Sequence, residues 1–234
     1  GNPLVSVIIP NKDHTADLDV CMRSLIEKGT YKNLEFIIVE NNSTEPETFQ
    51  YYERIQKEFD FIHVVKWERE FNYSAINNFG VTAASGEYLL FLNNDTELIN
   101  PESIEELLGF CQRDDVGIVG ARLLYSDDTI QHAGVVVGFG GIAGHTFIGL
   151  HRAESSYFNR AMCAQDYSAV TAACMMSKKS LFEKAGGFAE ELAVAFNDID
   201  YCMKIRSLGK LVVYAPYALF YHYESKSRGL EDTP

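Results

Sequence analysis

The chain is short of the features that mark several large protein classes. Its five cysteines, Cys21, Cys111, Cys163, Cys174 and Cys202, are odd in number, widely spaced and never in a C-x-x-C pair. Such usage fits reduced, mostly buried thiols rather than a disulfide framework or a zinc site. No apolar run approaches the roughly 18 residues of a membrane span, and no basic stretch leads into an apolar one as in a signal peptide. Basic residues are few, with 20 Lys and Arg against 33 Asp and Glu and a net charge of -13. Sequence-independent binding to nucleic acid or to anionic lipid depends on clustered cations, so neither is expected, and an anionic substrate needs local help such as a divalent cation. Repeats and low-complexity linkers are also absent, so 234 residues with 47% hydrophobic content are expected to form one domain. The expected location is cytoplasmic, with the inner face of the membrane as an alternative. The ends, Gly1-Asn2-Pro3 and Asp232-Thr233-Pro234, leave room for a longer polypeptide.

What is present is an alternation of apolar runs and amphipathic stripes. Leu4 to Ile9 is rich in β-branched residues and halts at Pro10, which reads as a strand. Leu18, Cys21, Met22, Leu25 and Ile26 recur at helical spacing, with Gly29 as a C-terminal cap. Leu34 to Val39 is a second buried strand, Phe61 to Val65 a shorter one, and Ser74 to Ala84 a helix. Tyr88-Leu89-Leu90-Phe91-Leu92 is a further apolar run, followed by Asn100-Pro101 as the start of another helix. This order predicts an α/β fold with a mostly parallel central sheet flanked by helices. Right-handed crossovers bring the strand ends at Pro10, Glu40 and Asn93 to one edge. The later part is less regular, with a glycine-rich segment over 134–149, a helix ending at Gly186-Gly187, a helix opening at Phe196, and strands over 211–214 and 219–221. The glycines lack a G-x-G-x-x-G frame, and either a flexible or sheet-edge segment near an acceptor or direct ligand contact is expected there.

The chemistry is expected where apolar strands stop at polar groups. Asn93-Asn94-Asp95 closes a strand of the kind buried on both faces, where open α/β sheets bind ligands, although Asn and Asp also simply turn chains. Asp198 and Asp200 stand at a helix start beside Asn197, either as caps or, in a transferase, with one as a general base. His222 follows an apolar strand and is either a packed residue or a metal ligand. One carboxylate, one imidazole and two diphosphate oxygens make a reasonable octahedral set for Mn2+, or with less nitrogen for Mg2+. Lys226 and Arg228 either meet a diphosphate or are solvated, and Trp67 either stacks on a sugar or packs. His14, His63, His132, His145 and His151 show no ligand spacing and receive no role.

In this order, Val5-Ser6-Val7-Ile8-Ile9-Pro10-Asn11-Lys12, Glu35 to Thr44, Asn72 to Tyr88, Phe91 to Asp95, Gly186-Gly187-Phe188, Phe196 to Cys202 and His222 resemble the family 2 inverting, metal-dependent glycosyltransferases of the GT-A fold. The resemblance implies transfer of a sugar from a UDP- or dTDP-sugar to a hydroxyl of a glycan or lipid-linked glycan, in cell-surface polysaccharide synthesis. It implies a nucleotide-sugar half over 1–97 and an acceptor half over 98–234. Pro10, Lys12, Glu40, Asn72, Asn78, Asn93 and Asn94 would border the donor. Asp95 and His222 would hold Mn2+ or Mg2+, Asp198 would be the base, and Asn197 and Asp200 would face the acceptor. The chain departs from the family pattern at Asn93 in the D-x-D triplet, at Asn197 beside the base, and at Ala189 after Gly-Gly-Phe. Two other readings stand beside this one. A nucleotidyltransferase would want a basic glycine-rich loop where Asn11-Lys12-Asp13-His14 stands, and a catalytically silent nucleotide-sugar-binding module would share the same fold.

Overall fold

The computed structural model describes residues 2–223. In chain order its elements are β1 (Val5–Asn11), α1 (Thr15–Arg23, continued by a π-helical turn over Ser24–Lys28), β2 (Leu34–Glu40), α2 (Pro46–Glu58), β3 (Ile62–Lys66), α3 (Tyr73–Ala83) and β4 (Tyr88–Leu92). They continue as β5 (Thr96–Leu98), α4 (Ser103–Cys111), β6 (Val116–Leu124), β7 (Ile130–His132), β8 (Val135–Val137), β9 (Ala143–His145), a 3-10 helix (Tyr157–Met162) and β10 (Gln165–Asp166). The last are β11 (Cys174–Lys178), α5 (Lys179–Lys184), α6 (Asn197–Ser207) and β12 (Leu211–His222). The main sheet runs β10-β12-β6-β11-β4-β1-β2-β3, with β5 added to β12 and β7 to β6. β1, β2, β3 and β4 are parallel neighbours, and β12 is parallel to β6. β11 enters antiparallel between β4 and β6, so the second half is mixed.

Strict alternation along the strands divides the core in two. Val5, Val7 and Ile9 of β1 with Leu90 and Leu92 of β4 face one cluster, shared with Leu18 and Met22 of α1, Ile55 of α2 and Leu107 of α4. Ile8, Ile37, Leu89 and Phe91 face the other, against Ile76 of α3, Phe182 of α5 and Tyr201 of α6. Both faces are covered, which is why these strands read as unbroken apolar runs. Phe188 is 1% exposed and meets Phe91 and Tyr201 with ring centroids at 4.8 and 5.1 Å. Phe188→Ala is therefore expected to lower unfolding free energy by about 3–5 kcal/mol in urea titration.

Three local details differ from the expectation. β1 continues through Pro10 to Asn11, because its pairing with β4 ends at Ile8 and the proline ring sits where β1 has only β2 beside it. Gly29 is not a left-handed cap: its φ is -64°, and an added Cβ would lie 2.4 Å from the Leu25 carbonyl oxygen, so close approach selects glycine. The helix after Pro101 starts only at Ser103, while the Asn100 side chain donates to the Tyr217 carbonyl on β12 at 2.7 Å. The cysteines agree with expectation: all five are free and only Cys163 is exposed.

Candidate active site

The pairing of β1 with β4 ends at Ile8, at the carboxyl ends of the strands, the place where open α/β sheets receive ligands in a crevice. A hydrogen-bonded chain crosses this edge. Asn94 Nδ2 donates to Asn11 Oδ1 (2.7 Å), Asn11 Nδ2 donates to Tyr52 Oη (2.8 Å), and Tyr52 Oη donates to Glu40 Oε2 (2.7 Å). Glu40 also accepts from the backbone N and the hydroxyl of Ser43, both at 2.6 Å, and is 3% exposed. Its carboxylate is thus saturated from within and organises the loop after β2. Lys12 is exposed on the loop after β1, next to half-buried Pro10.

After β4 the chain turns through Asn93-Asn94-Asp95 into β5, whose three residues pair antiparallel with Phe220, Tyr221 and His222 at the end of β12. This short pairing unites residues far apart in sequence. His222 Nε2 lies 3.3 Å from Asp95 Oδ1 and 3.1 Å from Asn93 Nδ2, while His222 Nδ1 lies 2.6 Å from Gln131 Oε1. An amide nitrogen can only donate and an amide oxygen can only accept, so the arrangement assigns the proton to Nδ1 and the lone pair to Nε2. An imidazole oriented by an outer amide, beside a carboxylate that is 5% exposed, offers one nitrogen and one oxygen donor that could hold a divalent cation. Among the described residues no group of three or more His, Cys, Asp or Glu suited to a metal occurs, so a cation at this pair would need further ligands from outside these side chains. Beneath the turn, burial pushes the Cys21 thiol up to about 12, which keeps it neutral against Thr96 at 3.4 Å.

Asp198 occupies the second position of α6, not its cap. The cap residue is Phe196, held in a left-handed conformation at φ 63° without a side-chain hydrogen bond. Asp198 Oδ1 accepts from Ile199 N at 2.8 Å and Oδ2 from Ala172 N at 3.3 Å. Burial raises its pKa above the ordinary carboxylate value, opposed by these hydrogen bonds and by the nearby His145. One residue on, the Ala173 carbonyl accepts from Asn93 N at 3.0 Å, so the segment 171–173 ties the carboxylate directly to the Asn93-Asn94-Asp95 turn.

Other anticipated residues are placed differently. Asn72 caps α3 through Ala75 N at 2.9 Å and donates to the Glu190 carbonyl at 2.8 Å. Asn78 brackets the backbone of Phe188 with bonds of 3.0 and 2.9 Å, and Gly187 is required opposite it because a Cβ there would meet Asn78 Oδ1 at 2.7 Å. Both hold the 186–193 loop to α3. Asn197 donates to the Leu192 carbonyl at 3.3 Å, and Asp200 pairs with Lys204 at 2.8 Å along the same helix. Trp67 packs on Phe79 beneath Arg69. Lys226 and Arg228 lie outside the described residues.

Two histidines without ligand spacing prove to be neighbours. β8 and β9 form a separate hairpin whose tip carries Gly138, Gly140 and Gly141, all at positive φ. The hairpin returns His145 to His132, with their Nδ1 atoms 2.9 Å apart and His132 fully buried. His145 opposes the rise in the Asp198 pKa, while burial, His145 and His222 hold the His132 imidazole well below its ordinary pKa. The only signal in sequence is that the two flank the glycines.

Comparison with known proteins identifies the family and the fold. The family model for glycosyl transferase family 2 matches residues 6–184. The chain is 45% identical over its whole length to the protein y4gI of Sinorhizobium fredii and 40% identical to the O-antigen biosynthesis protein RfbC of Myxococcus xanthus. It spans only 26% and 18% of the length of these curated relatives. Among solved structures, a mannosyltransferase of Pyrobaculum calidifontis in complex with GDP-Man and Mn2+ superposes with a TM-score of 0.73 at 16% identity, over 97% of this chain and 58% of that one. GalNAc-T7 with UDP, GalNAc and Mn2+ gives a TM-score of 0.77 at 15% identity, over 94% and 44%. At those identities the likeness concerns the fold, which is that of the GT-A glycosyltransferases.

Proposed function

Because the chain belongs to glycosyl transferase family 2, we propose that it transfers a sugar from a nucleoside-diphosphate sugar to an acceptor hydroxyl, with inversion at the anomeric carbon. The single observation that carries this reading is the Asp95–His222 pair, with its tautomer set by Gln131, joined through residues 171–173 to the desolvated Asp198. The carboxyl edge of β1 and β4 takes the donor, with residues 1–97 as the donor half and 98–234 as the acceptor half.

Asp198 accepts the proton of the acceptor hydroxyl as that oxygen attacks the anomeric carbon from the face opposite the diphosphate. Its raised pKa suits it to hold that proton. Asn94 and Asn11, locked by Tyr52 and Glu40, fix the floor on which the nucleotide lies. Asp95 and His222 hold a divalent cation, and the imidazole in the set favours manganese over magnesium. The cation, when bound, neutralises the leaving diphosphate. A divalent cation held there would offset the charge of the diphosphate and let a chain of net charge -13 admit an anionic donor. The family and the O-antigen relative support a place in polysaccharide assembly, on a glycan or lipid-linked glycan. Among the described residues no helix is long and apolar enough to cross a membrane.

The test is calorimetric titration with a panel of UDP- and dTDP-sugars with and without Mn2+, together with assay of released nucleoside diphosphate. Metal-dependent binding of one donor and slow release of its diphosphate are expected. No metal-dependent binding across the panel would overturn the assignment, and binding without release would make the chain a silent module. Gln131→Leu frees the outer nitrogen of His222 and is expected to weaken Mn2+ about 10–100-fold, read by electron paramagnetic resonance of the free ion.

A further inference from the structure

Arg122 is a buried cation that nothing in the described structure neutralises. It lies on β6, one residue before Leu123 and opposite Leu219 of β12, and is 5% exposed. One of its Nη atoms contacts the Met162 sulfur, and its Nε has no hydrogen-bond partner. A thioether is a weak acceptor and leaves the charge uncompensated. The neighbours that influence the guanidinium are the Tyr214 and Tyr217 phenols and a second cation, Arg152, which is itself 3.4 Å from Asp128. No carboxylate meets Arg122 among the described residues, although the chain has 33 acidic side chains to offer. Leaving a guanidinium buried and unpaired is strongly unfavourable, whereas an apolar side chain of similar size is usually neutral or better. A retained charge of this kind points to an anion that arrives from outside.

We propose that Arg122 is the oxyanion-binding point of the acceptor half, taking a phosphate or carboxylate group carried by the acceptor, with the Arg152 charge adding to the local field. The planar fork of an arginine matches either anion in two parallel hydrogen bonds. The location agrees: Leu124 of the same strand pairs with Tyr221, the residue before His222, so the guanidinium lies along the strand pair that ends at the cation ligand. The group that covers it is adaptable. Met162 ends a 3-10 helix in which Phe158 and Asn159 have left-handed backbones and Tyr157 and Phe158 are 73% and 81% exposed. Displacement of one flexible thioether exposes the fork. Only the acceptor's identity rests on the transfer reading; the anion site itself does not.

The experiment uses the protein with its metal chelated by EDTA and with no sugar nucleotide, so that it is independent of transfer and of the cation-dependent donor site. Inorganic pyrophosphate, orthophosphate and glucuronate are titrated calorimetrically against the wild type, Arg122→Met and Arg152→Gln. Saturable binding of one of them to the wild type is expected, with roughly 10–100-fold loss in Arg122→Met, the range for a charge-assisted bond. A smaller loss is expected in Arg152→Gln, an exposed position whose change leaves folding intact. The phosphate and carboxylate arms identify which group the site takes. Absence of binding by all three anions, or equal binding by wild type and both variants, overturns the proposal.

Discussion

Asp198→Asn is expected to lower turnover by roughly 10²–10⁴-fold while leaving the affinity for the sugar nucleotide nearly unchanged, because the substitution removes proton acceptance and no donor contact. The direction of the pH dependence follows from the burial of the carboxylate. Desolvation raises its pKa in the folded protein, and the ionised form is the active one. The acid limb of kcat/KM is therefore expected above the ordinary carboxylate range, with activity lost as pH falls through it. The same shift has an opposite sense for stability. A carboxyl with a raised folded pKa stabilises the fold at pH values below its unfolded pKa, and that contribution disappears as pH rises. At neutral pH the ionised Asp198 is a liability that the neutral amide removes, although the amide turns one acceptor into a donor opposite Ala172 N or Ile199 N. The variant is thus expected to melt close to the wild type. Full turnover in Asp198→Asn would remove this residue as the base.

Asp95→Ala is expected to weaken metal-dependent nucleotide binding by at least the roughly 10–100-fold that loss of an outer partner costs, because it deletes the anionic donor itself. Affinity measured without metal should change little, since Asn94, Asn11 and Tyr52 remain linked to Glu40. That split between metal-dependent and metal-independent affinity distinguishes a lost ligand from a distorted crevice. Unchanged calorimetric affinity in Mn2+ would exclude Asp95 from the cation site.

The parallel first half and its strand ends are legible in sequence because burial on both faces writes itself as unbroken apolar runs, which stop where the polar crevice starts. Asp95 and His222 stand at two such strand ends, and the fold brings their side chains within 3.3 Å. The elements that bring them together are not legible. β5 has only three residues, too few for any period to register. β12 is interrupted in sequence by Pro216, yet it continues to His222 with a shift of register between Ala215 and Leu219. A missing donor dislocates the ladder there without ending the strand. α2 was hidden by its charged face, although Thr48, Tyr51, Tyr52 and Ile55 carry a helical spacing that is buried in the fold. With it went Tyr52, whose hydroxyl joins Asn11 to Glu40. Asn72 and Asn78 are legible only as polar residues, and their hydrogen bonds to the backbone of the 186–193 loop depend on the fold. The meeting of His132 with His145 depends on the return of a hairpin, and the isolation of Arg122 depends on which acids failed to come near.

The pairing of β5 with β12 also governs when the site exists. Asn93 and His222, 129 positions apart, must meet before Asp95 has a nitrogen beside it. Closing so large a loop costs entropy that only late contacts repay, so high contact order at this point delays assembly of the cation pair relative to the local β1–β2 and β2–β3 crossovers. A nascent or truncated chain lacking residues 220–222 would lose the partner of β5, and with it the imidazole that lies beside Asp95.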